Sequence, residues 1–264
     1  MTTKLLLPIT LLLFYSCNSQ RNTSQHETDS LKKYSYLFAS IPQITGVIYK
    51  GTCSFYKFEE KYYLITVKHL FIEFPVADTM YVQATTNTGE IELFPVDVRK
   101  YKADTPQGNP HLTPDLEVIP VNIPSNYKIY SIEKFFKNYD SIKENPDSIF
   151  LFGYCSKLRR EDGHFVMDLP CTTKGTVRVG ITKPVYFAND ANDKNGVTDT
   201  VNYYMDVEEK DYRGASGSPI FWVRPNNEIV FGGIVFQFEP HRGLLVGVKP
   251  EFIDKRIKSE RRDN

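Results

Sequence analysis

The sequence predicts an all-β fold built as two antiparallel modules, with a short helix at the C-terminal end. Three observations carry this. Aromatic residues make up 14% of the 264-residue chain, with 17 Tyr and 18 Phe, and together with many Val, Ile and Thr they suit pleated, half-buried strands. Short apolar runs recur between Gly, Pro and Asn turn signals, which is the spacing of a β-sandwich or barrel. The runs also fall into two groups, about 36–125 and 140–249, on either side of a linker. With 41% hydrophobic and 24% charged residues, the chain can bury a sizeable core, which excludes wholesale disorder.

The first residues read as an address. Lys4 precedes an apolar run, 5–15, interrupted only by Pro8 and Thr10. Eleven residues are too few to cross a hydrocarbon layer of about 30 Å as a helix, but they suit the apolar region of an export signal. The run ends in Phe14-Tyr15-Ser16-Cys17, a small residue followed by Cys. This resembles a bacterial lipoprotein signal, which implies that 1–16 is removed and that Cys17 carries the lipid. Simple secretion with cleavage nearby is the alternative. The polar stretch after Cys17 lacks periodicity and is expected to serve as a tether over 17–35.

Strand candidates follow at 45–49, 54–58, 62–67, 79–85, 90–99 and 116–121, with Asn87-Thr88-Gly89 as a turn. Residues 101–113 are polar with two Pro and read as a loop. Ile132, Phe135 and Phe136 recur at helical spacing, so 131–139 is expected to be a helix. Strands resume at 148–154, 165–169, 175–187, 201–207, 218–223, 229–237 and 244–248, and 251–261 reads as the terminal helix.

Lys plus Arg and Asp plus Glu each number 32, so the basic field needed to neutralise nucleic-acid phosphates is absent. The four Cys include no Cys-x-x-Cys pair, and no His-Glu-x-x-His occurs. No metal and no cofactor is expected.

Three segments carry chemistry when read together. In Leu64-Ile65-Thr66-Val67-Lys68-His69 a strand runs into a Thr, and a His follows three residues later. In Thr113-Pro114-Asp115-Leu116-Glu117-Val118 an Asp stands where a Pro-stiffened loop enters an apolar strand. In Gly214-Ala215-Ser216-Gly217-Ser218-Pro219 a Ser lies in a Gly-flanked turn before a strand. A Ser hydroxyl is a weak nucleophile at neutral pH and needs a base, and the base needs an orienting acid. Taken singly, each motif has an ordinary structural explanation; it is their order and context that point to catalysis.

The order His, Asp, Ser and these local patterns resemble the chymotrypsin-fold (trypsin-like) serine proteases, over about 210 residues from Thr45 to the terminal helix. The resemblance implies two packed antiparallel β-barrels with the site in the cleft between them, within a protease domain over 36–264. It implies His69, Asp115 and Ser216 as the triad, the N–H groups of Gly214 and Ser216 as the oxyanion hole, and a peptide or protein as substrate. The α/β-hydrolase alternative is excluded, because its nucleophile motif needs Gly two residues after the Ser and Ser218 stands there. Digestive members carry an Asp just before the catalytic Ser, and it pairs with a newly cut N-terminus. Ala215 occupies that place, so no activation by such an ion pair is expected.

By the same resemblance Phe236 and Phe238 stand in the wall of the specificity pocket, where digestive members have a small residue and a Gly. Lys210 falls near the pocket base. Strand alternation leaves open that one or both Phe belong to the core. Two filled wall positions also leave open a second class of function, a catalytically silent or highly restricted protease-like binding module. Cys155 and Cys171 enclose 15 residues around a Gly turn and could form a disulfide in an exported protein, leaving Cys53 unpaired. The expected location is the bacterial cell envelope, lipid-anchored or else secreted. The sequence sets neither the cleavage preference nor the oligomeric state.

Overall fold

The computed structural model describes residues 30–40, 49–71, 78–101, 114–136, 148–154, 159–161, 164–166, 171–178, 201–207, 214–224, 226, 228–239 and 244–262. The front half comprises β1 (Tyr36–Ser40), β2 (Tyr49–Phe58), β3 (Lys61–Thr66), β4 (Thr79–Thr86), β5 (Ile91–Asp97), β6 (Glu117–Val121) and β7 (Tyr127–Lys128). They form one antiparallel sheet in the order β5-β4-β1-β2-β3-β6, with β7 added beside β4. The sheet curls as a half-barrel. Its inward face follows from period-2 patterning: Met80, Val82 and Ala84 of β4 are buried, as are Phe94 and Val96 of β5.

The back half comprises β8 (Ser148–Gly153), β9 (Arg159–Glu161), β10 (His164–Val166), β11 (Cys171–Arg178), β12 (Asn202–Val207), β13 (Pro219–Val223), β14 (Ile229–Glu239) and β15 (Leu244–Val248). Six of these close into a barrel, β11-β12-β15-β14-β13-β8, while β9 and β10 pair as a separate hairpin. The helix α1 (Pro250–Arg262) follows β15 and packs back on β6 of the front half. This is the predicted all-β architecture of two antiparallel modules with a C-terminal helix; the back module closes as a barrel and the front one curls as a half-barrel.

Both faces of the closed barrel's inner strands are buried, and alternation divides them. Ile149, Leu151, Ile220 and Trp222 line one apolar cluster with Val230, Val235 and Leu245. Phe150, Phe152, Phe221 and Val223 point the other way and join the front-half core in a single cluster. Aromatic contacts stitch this seam. Phe135 meets Tyr34 and Phe221 edge-on at ring distances of 5.0 and 5.1 Å, and Phe136 stacks on Phe231 at 4.7 Å. Burying each such ring contributes about 1.5–3 kcal/mol, and an aromatic pair adds about 0.5–1.5 kcal/mol.

Four sequence expectations change. Residues 36–40 form a strand although none was predicted there. The candidate at 54–58 extends back through Gly51 to Tyr49 as the single β2, while 45–48 of the candidate before it lie outside the described residues. The expected helix at 131–139 is, in its described part, a 3₁₀ turn over 133–136. Its anchors are tertiary: Ile132 N–H donates to Phe55 O (2.7 Å) and Lys57 N–H to Ser131 Oγ (2.8 Å). The packed body also begins before Tyr36, since Leu31, Tyr34 and Ser35 are buried and Ser35 Oγ donates to Phe152 O at 2.8 Å.

Candidate active site

His69 sits in a 3₁₀ turn, Lys68–Phe71, that follows directly on β3. Asp115 lies two residues before β6. Strands β3 and β6 pair antiparallel with Thr66 opposite Glu117, so the segments leaving the ladder at that end run side by side. The Asp115 carboxylate uses both oxygens on His69. Oδ1 accepts the backbone N–H at 2.9 Å, and Oδ2 lies 2.5 Å from imidazole Nδ1. Asp115 is buried at 8% exposure, and its partner ring is 20% exposed. A carboxylate on Nδ1 assigns that nitrogen the proton and leaves Nε2 as an acceptor.

The Ser216 turn is fastened to both halves by its backbone. Ser218 N–H closes the turn on Ala215 O, while Gly217 N–H donates to Val235 O and Val235 N–H to Ser218 O, each at 2.8 Å. From the front half, Thr52 N–H donates to Ser216 O at 2.8 Å. Thr52 Oγ1 donates to Gly214 O at 3.0 Å and accepts Tyr154 N–H at 3.1 Å. Thr66 Oγ1, at the end of the strand that leads to His69, donates to Thr52 O at 2.9 Å. A line of two threonines thus ties the His-bearing strand to the Ser-bearing turn.

Two glycines make that turn possible. Gly214 has φ +89° and Gly217 φ +85°, a region that costs L-residues roughly 1–2 kcal/mol. Space is short as well. A Cβ on Gly217 would fall 2.0 Å from Thr52 O and 2.5 Å from Thr66 Oγ1. Gly217→Ala is therefore expected to lower the melting temperature by more than about 4 °C, since strain and the clash together exceed roughly 2 kcal/mol. Thermal unfolding followed by circular dichroism checks this; an unchanged midpoint would contradict the turn geometry.

Other contacts put His69 and Ser216 in one neighbourhood. A Cβ on Gly51 would lie 2.4 Å from a methyl of Leu70 and 3.1 Å from Ser216 O. The His69 ring centre is 6.2 Å from that of Phe236, which adjoins the Val235 that clasps the turn. Ser216 itself is partly exposed, between the buried Ala215 and the buried Gly217.

The remaining predicted site residues are placed as follows. Phe236 is only 9% exposed and belongs to the cluster joining the two halves. It occupies a bulge in β14, where the ladder to β15 shifts register between Val235 and Gln237. Core packing, the alternative left open for it, fits this burial. Phe238 continues β14, opposite Leu245. Cys171 opens β11 opposite Gly153. Lys210, Cys155 and Cys17 lie outside the described residues. Cys53 is a buried free thiol, pushed well above its ordinary range by burial. Among the described residues no group of three or more His, Cys, Asp and Glu gathers as a metal site.

Thr52 carries no sequence signal of its contacts with this turn, and Glu117 of β6, two residues after Asp115, pairs with Arg256 of α1. The polar Glu117 inside the apolar run Leu116-Glu117-Val118-Ile119 was a visible anomaly, but its partner is far away in sequence.

No family model matches the chain, and no curated protein does. Solved structures similar to it include that of GrC, at 15% sequence identity and a TM-score of 0.48, covering 86% of this chain and 95% of that one. Another is the active form of the Rv3671c protease from M. tuberculosis, at 12% identity and a TM-score of 0.44, covering 87% of this chain and 82% of that one.

Proposed function

We propose that the protein is a serine endopeptidase with His69, Asp115 and Ser216 as its triad. The observation that carries this reading is the Asp115 carboxylate, which holds both the backbone N–H and the Nδ1 of His69. That grip presents Nε2 as a base. Ser216 Oγ attacks the scissile carbonyl while Nε2 takes its proton, and the imidazolium is stabilised by Asp115. The N–H groups of Gly214 and Ser216 stabilise the oxyanion of the tetrahedral intermediate. Nε2 then protonates the leaving amine, and water repeats the sequence on the acyl-enzyme. Ala215 offers no carboxylate for a new N-terminus, so activity needs no activating cut. The lipoprotein-like signal supports export and anchoring through Cys17 at the cell envelope.

The test is labelling of the purified 18–264 protein by a fluorophosphonate, with the adduct mapped by mass spectrometry. Labelling at Ser216 is the expected result. No labelling, where a control protease reacts, would reject the reading. A second reading, a silent or highly restricted binding module, is favoured by Phe236 packed against the His69 ring. Cleavage of any member of a peptide library would reject it.

A further inference from the structure

We infer that Arg256 of the C-terminal helix is a positioning residue for the His69–Asp115 pair, acting through the buried carboxylate of Glu117. The inference rests on the peptidase reading for its kinetic consequence, though not for its geometry.

Glu117 opens β6 two residues after Asp115, and its side chain is only 4% exposed. Arg256 Nη2 donates to Glu117 Oε1 at 3.0 Å and lies 3.0 Å from Glu260 Oε1. Ile253, Ile257 and Glu260 are the buried face of α1, and Arg256 stands on the same side at helical spacing. The helix follows β15 of the closed barrel, so this ion pair joins the back half to the strand that positions the catalytic acid.

Burial pushes the Glu117 carboxyl above its ordinary range, and Arg256 opposes that push. The other groups facing this cluster are Lys68 from the turn that carries His69, Lys100 and Tyr101 from the turn after β5, and Glu260 from the helix. A carboxyl with a raised folded value makes the fold less stable as pH rises from its unfolded range through its folded one. Removing Arg256 sharpens that dependence. An ionised Glu117 without its guanidinium can be relieved by taking a proton or by moving outward to water. Outward movement drags the N-terminal end of β6, and Asp115 with it. Glu117 also pairs with Thr66, whose hydroxyl holds Thr52 and, through it, the Ser216 turn.

The experiment uses the 18–264 protein and three variants: Arg256→Met, Arg256→Lys and the double Glu117→Gln with Arg256→Met. The rate of fluorophosphonate labelling is read between about pH 5.5 and 8.5. Arg256→Met is expected to label about tenfold more slowly at the alkaline end, a coupling of the usual size, with the deficit shrinking toward the acid end. Arg256→Lys is expected to recover most of the rate. The double variant, which carries no charge at position 117 to pull on β6, is expected to label within about threefold of the parent at every pH. A parent-like rate for Arg256→Met would overturn the inference. So would a deficit that is independent of pH and persists in the double variant, because that is the mark of a helix needed only for packing. If Arg256→Met does not fold, the double variant decides by the same criterion.

A second readout is independent of turnover. The proton on His69 Nδ1, held by Asp115, is followed by NMR in the parent and the same variants. It is expected to shift or vanish in Arg256→Met at alkaline pH and to return in the double variant; an unchanged resonance overturns the inference. A parent that fails to label but keeps this pattern rejects the peptidase reading alone.

Discussion

Replacing Ser216 with alanine is expected to lower kcat about 10⁶-fold on any peptide the parent cleaves, leaving only the residual catalysis of binding and the oxyanion donors. The size follows from the proposed roles. Without Oγ there is no covalent intermediate, and His69 has no proton to accept except from water. The fold should hardly notice. The bonds that fasten the turn run through Ser216 O, Gly217 N–H, Ser218 N–H and Ala215 O, and none of them uses the hydroxyl. The site is also partly exposed, so loss of one oxygen leaves no buried cavity, and the melting temperature should stay within about 2 °C of the parent. Steady-state kinetics and circular dichroism on the same preparation separate the two effects. Retained activity, or a fluorophosphonate adduct at another residue, would remove Ser216 from the mechanism.

The three residues proposed for the triad were legible because each sits in a short local pattern. A strand running into Thr-x-x-His, an Asp entering a strand after Pro, and a Ser in a Gly-flanked turn are all visible within a few positions. What the sequence could not reveal is the register that brings them together. The pairing of Thr66 with Glu117 sets Asp115 beside His69, and a slip of one residue would reverse every side chain of β6. The Thr52 contacts were hidden for the same reason, since they span the two halves of the chain.

The misread elements have physical causes too. All five residues of β1 are buried, so the strand shows no alternation between apolar and polar faces to betray it. Gly51 interrupts the strand signal of β2, and its bare Cα leaves the room that the Leu70 methyls and Ser216 O occupy. Ile132, Phe135 and Phe136 do share one side, as helical spacing requires, but that side is wedged into the aromatic seam between the halves. One 3₁₀ turn serves that wedge: Phe135 N–H bonds back to Ile132 O within it, and bonds to Phe55 and Lys57 pin it to β2. Arg256 and Glu117 stand 139 residues apart, beyond any local pattern.

Asp115→Asn is expected to cut kcat by about 10⁴-fold while leaving KM within a few-fold of the parent. The amide is nearly isosteric with the carboxylate, and its oxygen can keep the 2.9 Å bond from the His69 backbone N–H that Oδ1 now accepts. The other end of the side chain then presents an NH₂ donor to Nδ1 where Oδ2 stood at 2.5 Å. Two donors cannot face each other. The ring must give up its Nδ1 proton and take the tautomer protonated at Nε2, which points a donor at Ser216 and removes the base. The imidazolium formed during attack also loses its counter-charge. On the proposed roles binding should be untouched, because Asp115 is buried and reaches only the Nδ1 edge of the ring, opposite Nε2. The loss should therefore fall on kcat, and NMR of the ring nitrogens should report the changed tautomer. A loss below about tenfold, or one carried mainly by KM, would mean that Asp115 merely braces the turn bearing His69 and does not set its protonation.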